Sequence, residues 1–187
     1  MKIMVVGGGG REHAIIKKLK ENKAVEKIYA LPGNGGMRND AECVPIGAKD
    51  IEKIVSFATE NQIDFAVVAP DDPLVLGAVD ALEAAGVECF GPDKKAAIIE
   101  GSKVFSKNLM KKYGIPTAEY EVFSELNKAL EYLKTAPIPT VIKADGLALG
   151  KGVIICNTRE EAFEAVKSVC LLRISPIFSK SSDKVGK

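Results

Sequence analysis

The chain has 187 residues, of which 47% are hydrophobic and 27% charged, with a formal net charge of +1. This is the composition of an ordinary globular protein, long enough for one large domain or a domain plus part of another. The balanced charge gives no reason to expect a nucleic-acid or membrane partner, and the first apolar run, Ile3–Val6, is too short for a signal peptide or a membrane span.

Along the first hundred residues, short apolar runs alternate with amphipathic segments. Lys2–Val6 is strand-like, and Arg11–Lys20 places Ala14, Ile15, Ile16 and Leu19 on one helical face. Lys27–Leu31 is a second strand. Lys49–Glu60 carries Ile51, Ile54, Val55 and Ala58 at the spacing of a helix lying on a sheet. Asp64–Val68 is a buried strand, Leu74–Ala85 a helix stopped by Gly86, and Glu88–Phe90 a last short strand. Such alternation predicts an α/β fold, a Rossmann-like parallel-sheet domain over residues 1–101. In a sheet of this kind ligands sit beyond the carboxyl ends of the strands. The loops Gly7–Gly10, Pro32–Gly36, Ala69–Pro73 and Gly91–Asp93 are therefore expected along one edge.

From about residue 102 the pattern changes. Ser102–Tyr113 reads as a helix N-capped by Ser102, followed by a strand at Tyr120–Phe123 and a helix at Glu125–Lys134. The stretch PTVIKADGLALGKGVIICNT, residues 139–158, holds two β-branched runs with a glycine-rich loop between them. Too few residues separate the runs for a helical crossover, so they are expected to pair antiparallel. A helix at Arg159–Val169, capped by Thr158, completes a partial α+β domain over residues 102–170 and leaves an atypical tail at 171–187.

The loop around Gly146, Gly150, Lys151 and Gly152 differs from a P-loop: three residues rather than four lie between its glycines, Gly152 replaces the hydroxyl residue, and a strand follows instead of a helix. The anion-binding logic survives, because glycines let backbone N–H groups approach phosphate and Lys143 and Lys151 supply charge. A softened hairpin with two solvated lysines has the same spacing. At the other end, VVGGGGREHA resembles a dinucleotide fingerprint, but Glu12 stands at the third glycine position. No carboxylate closes the second strand, which leaves a dehydrogenase as a weak alternative. His13 reads as a structural or solvated histidine, Lys103 as a surface lysine, and Asp71 and Asp72 as solvated loop acids. Cys43, Cys89, Cys156 and Cys170 form no C-x-x-C pair, so they read as reduced thiols, and the default location is cytoplasmic.

Taken in order, VVGGGGREHA, PGNGG, VVAPDDPLVLGAVDAL, FGPDKKAAIIEGSK and VIKADGLALGKGV resemble the N-terminal part of the phosphoribosylamine–glycine ligase family of the ATP-grasp superfamily. The resemblance implies an incomplete ATP-grasp domain after the Rossmann-like one. It also implies an ATP-dependent ligation of glycine to 5-phosphoribosylamine through a glycyl phosphate in purine biosynthesis. Carried over by position, Lys103 and Lys143 face the ATP phosphates, and Gly146, Gly150, Lys151 and Gly152 form a lid. Gly8, Gly9, Gly10, Arg11, Gly33 and Asn34 line the phosphoribosylamine side, with first-loop N–H groups on its 5-phosphate. Asp71 reaches ribose hydroxyls from a position where the family has glutamate.

The family's Mg²⁺ ligands, its acidic adenine-binding strand and its C-terminal domain are expected downstream, so no metal site is expected in this chain. These departures imply a truncated ligase, inactive alone, with exposed apolar surface. A non-catalytic phosphoribosyl-binding module and another ATP-grasp ligase, such as a purine-pathway carboxylase or a biotin carboxylase, are the alternatives.

Overall fold

The computed structural model describes residues 1–146, 152–171 and 176–180. The chain divides into two units, Met1–Ile98 and Ile99–Lys187.

The first unit is built on a five-stranded parallel sheet in the order β3-β2-β1-β4-β5, comprising β1 (Lys2–Gly7), β2 (Lys27–Pro32), β3 (Glu42–Cys43), β4 (Phe65–Val68) and β5 (Glu88–Phe90). β1 lies between β2 and β4 and is buried on both faces, which is why its sequence is an unbroken apolar run. Met4 and Val6 pack with Ile54 and Ala58 of α2 (Ile51–Glu60), whereas Ile3 and Val5 pack with Ile16 of α1 (Gly10–Lys20). Ile15 and Leu19 are partly buried on the same side as Ile16, but Ala14 is exposed, so the apolar stripe of α1 is narrower than its sequence suggests.

The helix expected over Leu74–Ala85 is two helices, α3 (Asp71–Leu76) and α4 (Ala78–Ala84). Gly77 separates them at φ +90°, a left-handed conformation that stops a helix. A short 3-10 helix at Gly35–Asn39, strand β3 and α5 (Lys94–Gly101) add to the expected elements; each has weak or no periodicity to announce it.

Two polar anchors fix α1 and the loop that leads into it. Glu12, only 3% exposed, accepts the Gly9 N–H at 2.6 Å through Oε2 and so closes half of a capping box on α1. Its Oε1 is buried without a partner. Asp40, at the end of the 3-10 helix, is contacted by His13 Nε2 at 3.1 Å, Lys20 Nζ at 3.0 Å and Lys17 Nζ at 3.4 Å. The His13 hydrogen bond, then that of Lys20, holds the Asp40 carboxyl well below the usual carboxylate range, with Lys17 adding to it and burial opposing.

The second unit carries an antiparallel sheet in the order β6-β9-β7-β8, comprising β6 (Tyr120–Val122), β7 (Thr140–Ala144), β8 (Val153–Cys156) and β9 (Pro176–Lys180). β7 and β8 pair antiparallel as their short connection requires, with Lys143 opposite Val153. β9 comes from the segment read as a tail and runs between β6 and β7. Thr140, Ile142 and Ala144 are buried toward α7 (Leu126–Leu133) and α8 (Arg159–Leu171), while Val141 and Lys143 take the opposite face. Ser102 caps α6 (Lys103–Lys112) by accepting the Phe105 N–H, and Thr158 caps α8 by accepting that of Glu161. Arg159 ties α8 to the end of α7 by donating to the carbonyls of Leu133 and Ala136. Among the described residues no helix is long and apolar enough to cross a membrane.

Both anchors are open to measurement. Glu12→Ala strands the Gly9 N–H and opens a buried space, so unfolding free energy should fall by about 2 kcal/mol. Glu12→Gln keeps an acceptor and should recover most of that loss; equal destabilisation by both would contradict the capping role. Because the folded carboxyl of Asp40 titrates below its unfolded value of about 4, its stabilisation is present above that pH and is lost as pH falls. Asp40→Asn should therefore lower the urea midpoint at about pH 7, and the difference from wild type should shrink by about pH 3.

Candidate functional site

In the first unit the loops after β1, β2 and β4 meet along the carboxyl edge of the sheet. Gly7, at φ +126°, leaves no room for a side chain: a Cβ there would lie 2.6 Å from Glu12 Cγ and 2.9 Å from Pro70 Cγ. A Cβ on Gly8 would lie 2.6 Å from the Gly33 carbonyl oxygen, so backbone meets backbone at that point. Gly33 N–H donates to Gly7 O at 3.2 Å, and Asn34 Nδ2 donates to Gly8 O at 2.8 Å. A Cβ on Gly10, by contrast, would meet nothing within 4 Å.

This geometry sorts the predicted residues. Gly8, Gly9, Gly10, Arg11, Gly33 and Asn34 are brought together, but not all are available to a ligand. The Gly9 N–H points inward to Glu12. Asn34 is the bracket of the loops, because its Oδ1 also accepts from Gly36 N–H at 2.7 Å and Met37 N–H at 3.2 Å. Arg11 is exposed, and the first-turn amides of α1 have no intrahelical acceptor. His13 is engaged with Asp40. Asp72 is paired with Lys49 at 2.6 Å, whereas Asp71, half-buried in the first turn of α3, has no hydrogen-bond or ion-pair partner among the described residues.

The second unit gathers a different set. Asp145 accepts from Ser102 Oγ at 3.1 Å and from Val104 N–H at 3.1 Å, holding the end of β7 against the first turn of α6. Lys103 Nζ donates to Gly146 O at 2.7 Å, so Lys103 grips the start of the glycine loop. Lys143, half-buried on the outer face of β7, has no ion pair among the described residues. The Gly152 carbonyl accepts the Ala144 N–H at 2.7 Å, closing the base of the hairpin. Gly150 and Lys151 lie outside the described residues.

Sequence reasoning missed Asp145, because nothing local announces its contact with a residue 43 positions away. Among the described residues, no group of three or more His, Cys, Asp or Glu is gathered to hold a metal ion. The thiols of Cys43, Cys89 and Cys156 are unpaired; burial pushes Cys89 up to about 11 and raises Cys156 as well, which suppresses their thiolates.

Comparison with known proteins accounts for both units. Residues 1–100 match the phosphoribosylglycinamide synthetase N domain, and residues 101–180 match the ATP-grasp (A) domain of the same enzyme. A phosphoribosylamine–glycine ligase of Caldanaerobacter subterraneus subsp. tengcongensis is 51% identical over 99% of this chain, which covers 44% of that protein. The crystal structure of phosphoribosylamine–glycine ligase from Thermotoga maritima superposes with a TM-score of 0.76 at 30% identity, over 96% of this chain and 44% of that one. An N5-carboxyaminoimidazole synthase from Aspergillus clavatus, solved with ADP and 5-aminoimidazole ribonucleotide, reaches a TM-score of 0.75 over 96% of this chain and 46% of that one; at 18% identity it shows the fold alone. The chain thus spans less than half the length of the relatives it matches, and by the match of both its units it belongs to the phosphoribosylglycinamide synthetase family.

Proposed function

We propose that this chain is the phosphoribosylamine-facing part, and a portion of the nucleotide-facing part, of an ATP-dependent ligase that joins glycine to 5-phosphoribosylamine in purine biosynthesis. The observation that carries the reading is the uninterrupted match of both units, in order, to a phosphoribosylamine–glycine ligase at 51% identity.

The chemistry follows from a poor acyl donor. A carboxylate oxygen of glycine attacks the γ-phosphorus of ATP, ADP departs, and a glycyl phosphate forms. The amine nitrogen of 5-phosphoribosylamine then attacks the carbonyl carbon, inorganic phosphate leaves with the carbonyl–oxygen bond electrons, and the amine proton is lost. Positioning and neutralisation of phosphate charge do most of the work in such transfers. In this reading Lys143 turns its unpaired ammonium to the triphosphate, and Lys103 sets the glycine loop while keeping its charge near it. Gly146, Gly150, Lys151 and Gly152 cover the phosphates.

On the first unit, Gly8, Gly10 and Arg11 face the 5-phosphate, with Gly9 withdrawn to Glu12. Gly33 and Asn34 hold that loop in shape, and Asp71 takes ribose hydroxyls. Mg²⁺ accompanies ATP as its charge carrier. No cluster among the described residues fits it, and the lysines and loop amides act on phosphate directly. The partners are small molecules, not nucleic acid or membrane, and the location is cytoplasmic; a net charge of +1 supports the first of these. A second reading, a phosphoribosyl-binding module without turnover, draws on the closed loop edge of the first unit.

Ribose 5-phosphate and inorganic tripolyphosphate serve as probes of the two sides. Asp71→Ala should weaken ribose 5-phosphate binding about tenfold, as loss of charged hydrogen bonds does, and leave tripolyphosphate binding unchanged. Equal losses of both would remove Asp71 from the ribose side. These residues alone should form no glycinamide ribonucleotide from glycine, ATP and 5-phosphoribosylamine. Co-expression with the remaining part of the Caldanaerobacter relative should restore ligation, and Lys143→Met should abolish it. Turnover by the chain alone, or a fully active Lys143→Met complex, would defeat this assignment; an assembled complex that binds ribose 5-phosphate without ligating would favour the binding module.

A further inference from the structure

His13, Lys17 and Lys20 stand at i, i+4 and i+7 along α1, so one face of the helix carries all three, and all three reach the same carboxylate. Asp40 caps the 3-10 helix Gly35–Asn39, and its N–H donates to the carbonyl of buried Met37 at 2.8 Å. Asp40 Oδ1 takes Lys20 Nζ, and Oδ2 takes Lys17 Nζ and His13 Nε2. An ionised carboxylate has no proton to give, so Nε2 carries the hydrogen and donates it.

The lysines reach Asp40 on long stems and are more than half exposed, whereas His13 is a rigid ring with 24% of its side chain exposed. The other edge of the ring is turned to Gly36. A Cβ on Gly36 would lie 3.5 Å from His13 Cε1 and 3.7 Å from Nδ1. The imidazole therefore spans the short helix, bonded to the residue that ends it and packed on a residue near its start. A five-residue 3-10 helix has poor hydrogen-bond geometry of its own and gains from such support.

What the ring holds leads on to the loop edge. The same Cβ on Gly36 would lie 3.2 Å from Asn34 Oδ1, so ring and carboxamide flank one backbone position. Gly36 N–H donates to Asn34 Oδ1 at 2.7 Å, and Asn34 Nδ2 donates to the Gly8 carbonyl at 2.8 Å. Contacts thus run without a gap from Asp40 through His13, Gly36 and Asn34 to Gly8. A shift of Gly36 turns the carboxamide and frees the loop whose amides are offered to the 5-phosphate.

We infer that His13, oriented by Asp40, is a positioning residue for the phosphoribosyl ligand, fixing Gly36 and, through Asn34, the loop Gly7–Gly10. The inference rests on this edge being the phosphoribosylamine side and adds to it a residue that acts through Asn34 rather than on the ligand. Lys17 and Lys20 keep Asp40 in place, and the contact with Gly36 belongs to the ring.

The test is a double-mutant cycle read by calorimetric titration of ribose 5-phosphate into the chain, with far-UV circular dichroism and urea unfolding on each variant. His13→Ala should weaken binding about fivefold, and His13→Gln, which keeps an N–H donor for Asp40, should stay within about twofold of wild type. Asn34→Ala should weaken binding about tenfold, and adding His13→Ala to it should change the affinity no further. If Asn34→Ala does not fold, Gly36→Ala replaces it: its added carbon crowds ring and carboxamide and should weaken binding, and His13→Ala in that background should recover part of the loss. A purely structural His13 would lower the urea midpoint and leave the affinity of the folded protein unchanged; that result, or losses that simply add in the cycle, would overturn the inference. His13→Ala binding like wild type beside a weakened Asn34→Ala would overturn it while sparing the reading of the edge. No binding by wild type up to about 10 mM would remove that reading itself, and His13 with it.

Discussion

Gly8 and Gly33 approach so closely that a single added carbon on Gly8 would lie 2.6 Å from the Gly33 carbonyl oxygen. Neither side of that contact can yield, because both are main chain. The loop after β1 and the loop after β2 are therefore joined through backbone, and everything offered to a ligand at this edge depends on the junction. Asn34 bridges it with one hydrogen bond to Gly8 O and braces its own loop with two more, and Gly33 N–H bonds back to Gly7 O. Buried Glu12 holds the Gly9 amide from beneath. Backbone contacts of this kind hold the edge in one shape, which lowers the ordering cost of binding.

Such rigidity also limits the site. A dinucleotide fold keeps a third glycine so that helix and strand can close on a pyrophosphate. Here Glu12 fills that position, and its carboxylate takes the Gly9 N–H that an anion would otherwise use. The exposed first turn, with Gly10 open and Arg11 in solvent, suits one phosphate group better than two. The same substitution explains the weak match to a dinucleotide fingerprint and accords with the phosphoribosyl ligand proposed for this edge.

The second unit solves a comparable problem with side chains. Asp145 and Ser102 join the end of β7 to the start of α6, and Lys103 then holds the first carbonyl of the glycine loop. With the carboxylate of Asp145 committed to this junction, Lys143 on the outer face of the strand has no ion pair among the described residues.

Much of this fold is written in local sequence. Apolar residues on every position of Ile3–Val6 specify a strand buried on both faces. The 3.6-residue stripe of Ile51, Ile54, Val55 and Ala58 specifies a helix on that sheet, and Ser102 and Thr158 mark helix starts. The short interval between Lys143 and Val153 requires antiparallel pairing. These features depend on periodicity, caps and loop length, which act over a few residues. Tertiary structure decided the rest: the break at Gly77, the insertion of β9, the inward turn of the Gly9 amide, the use of Asn34 as a bracket and the meeting of α6 with β7. Asn34 reaches a carbonyl 26 residues away and Ser102 a carboxylate 43 residues away. Partners at such separations are set by where whole elements dock, and no local pattern carries that information.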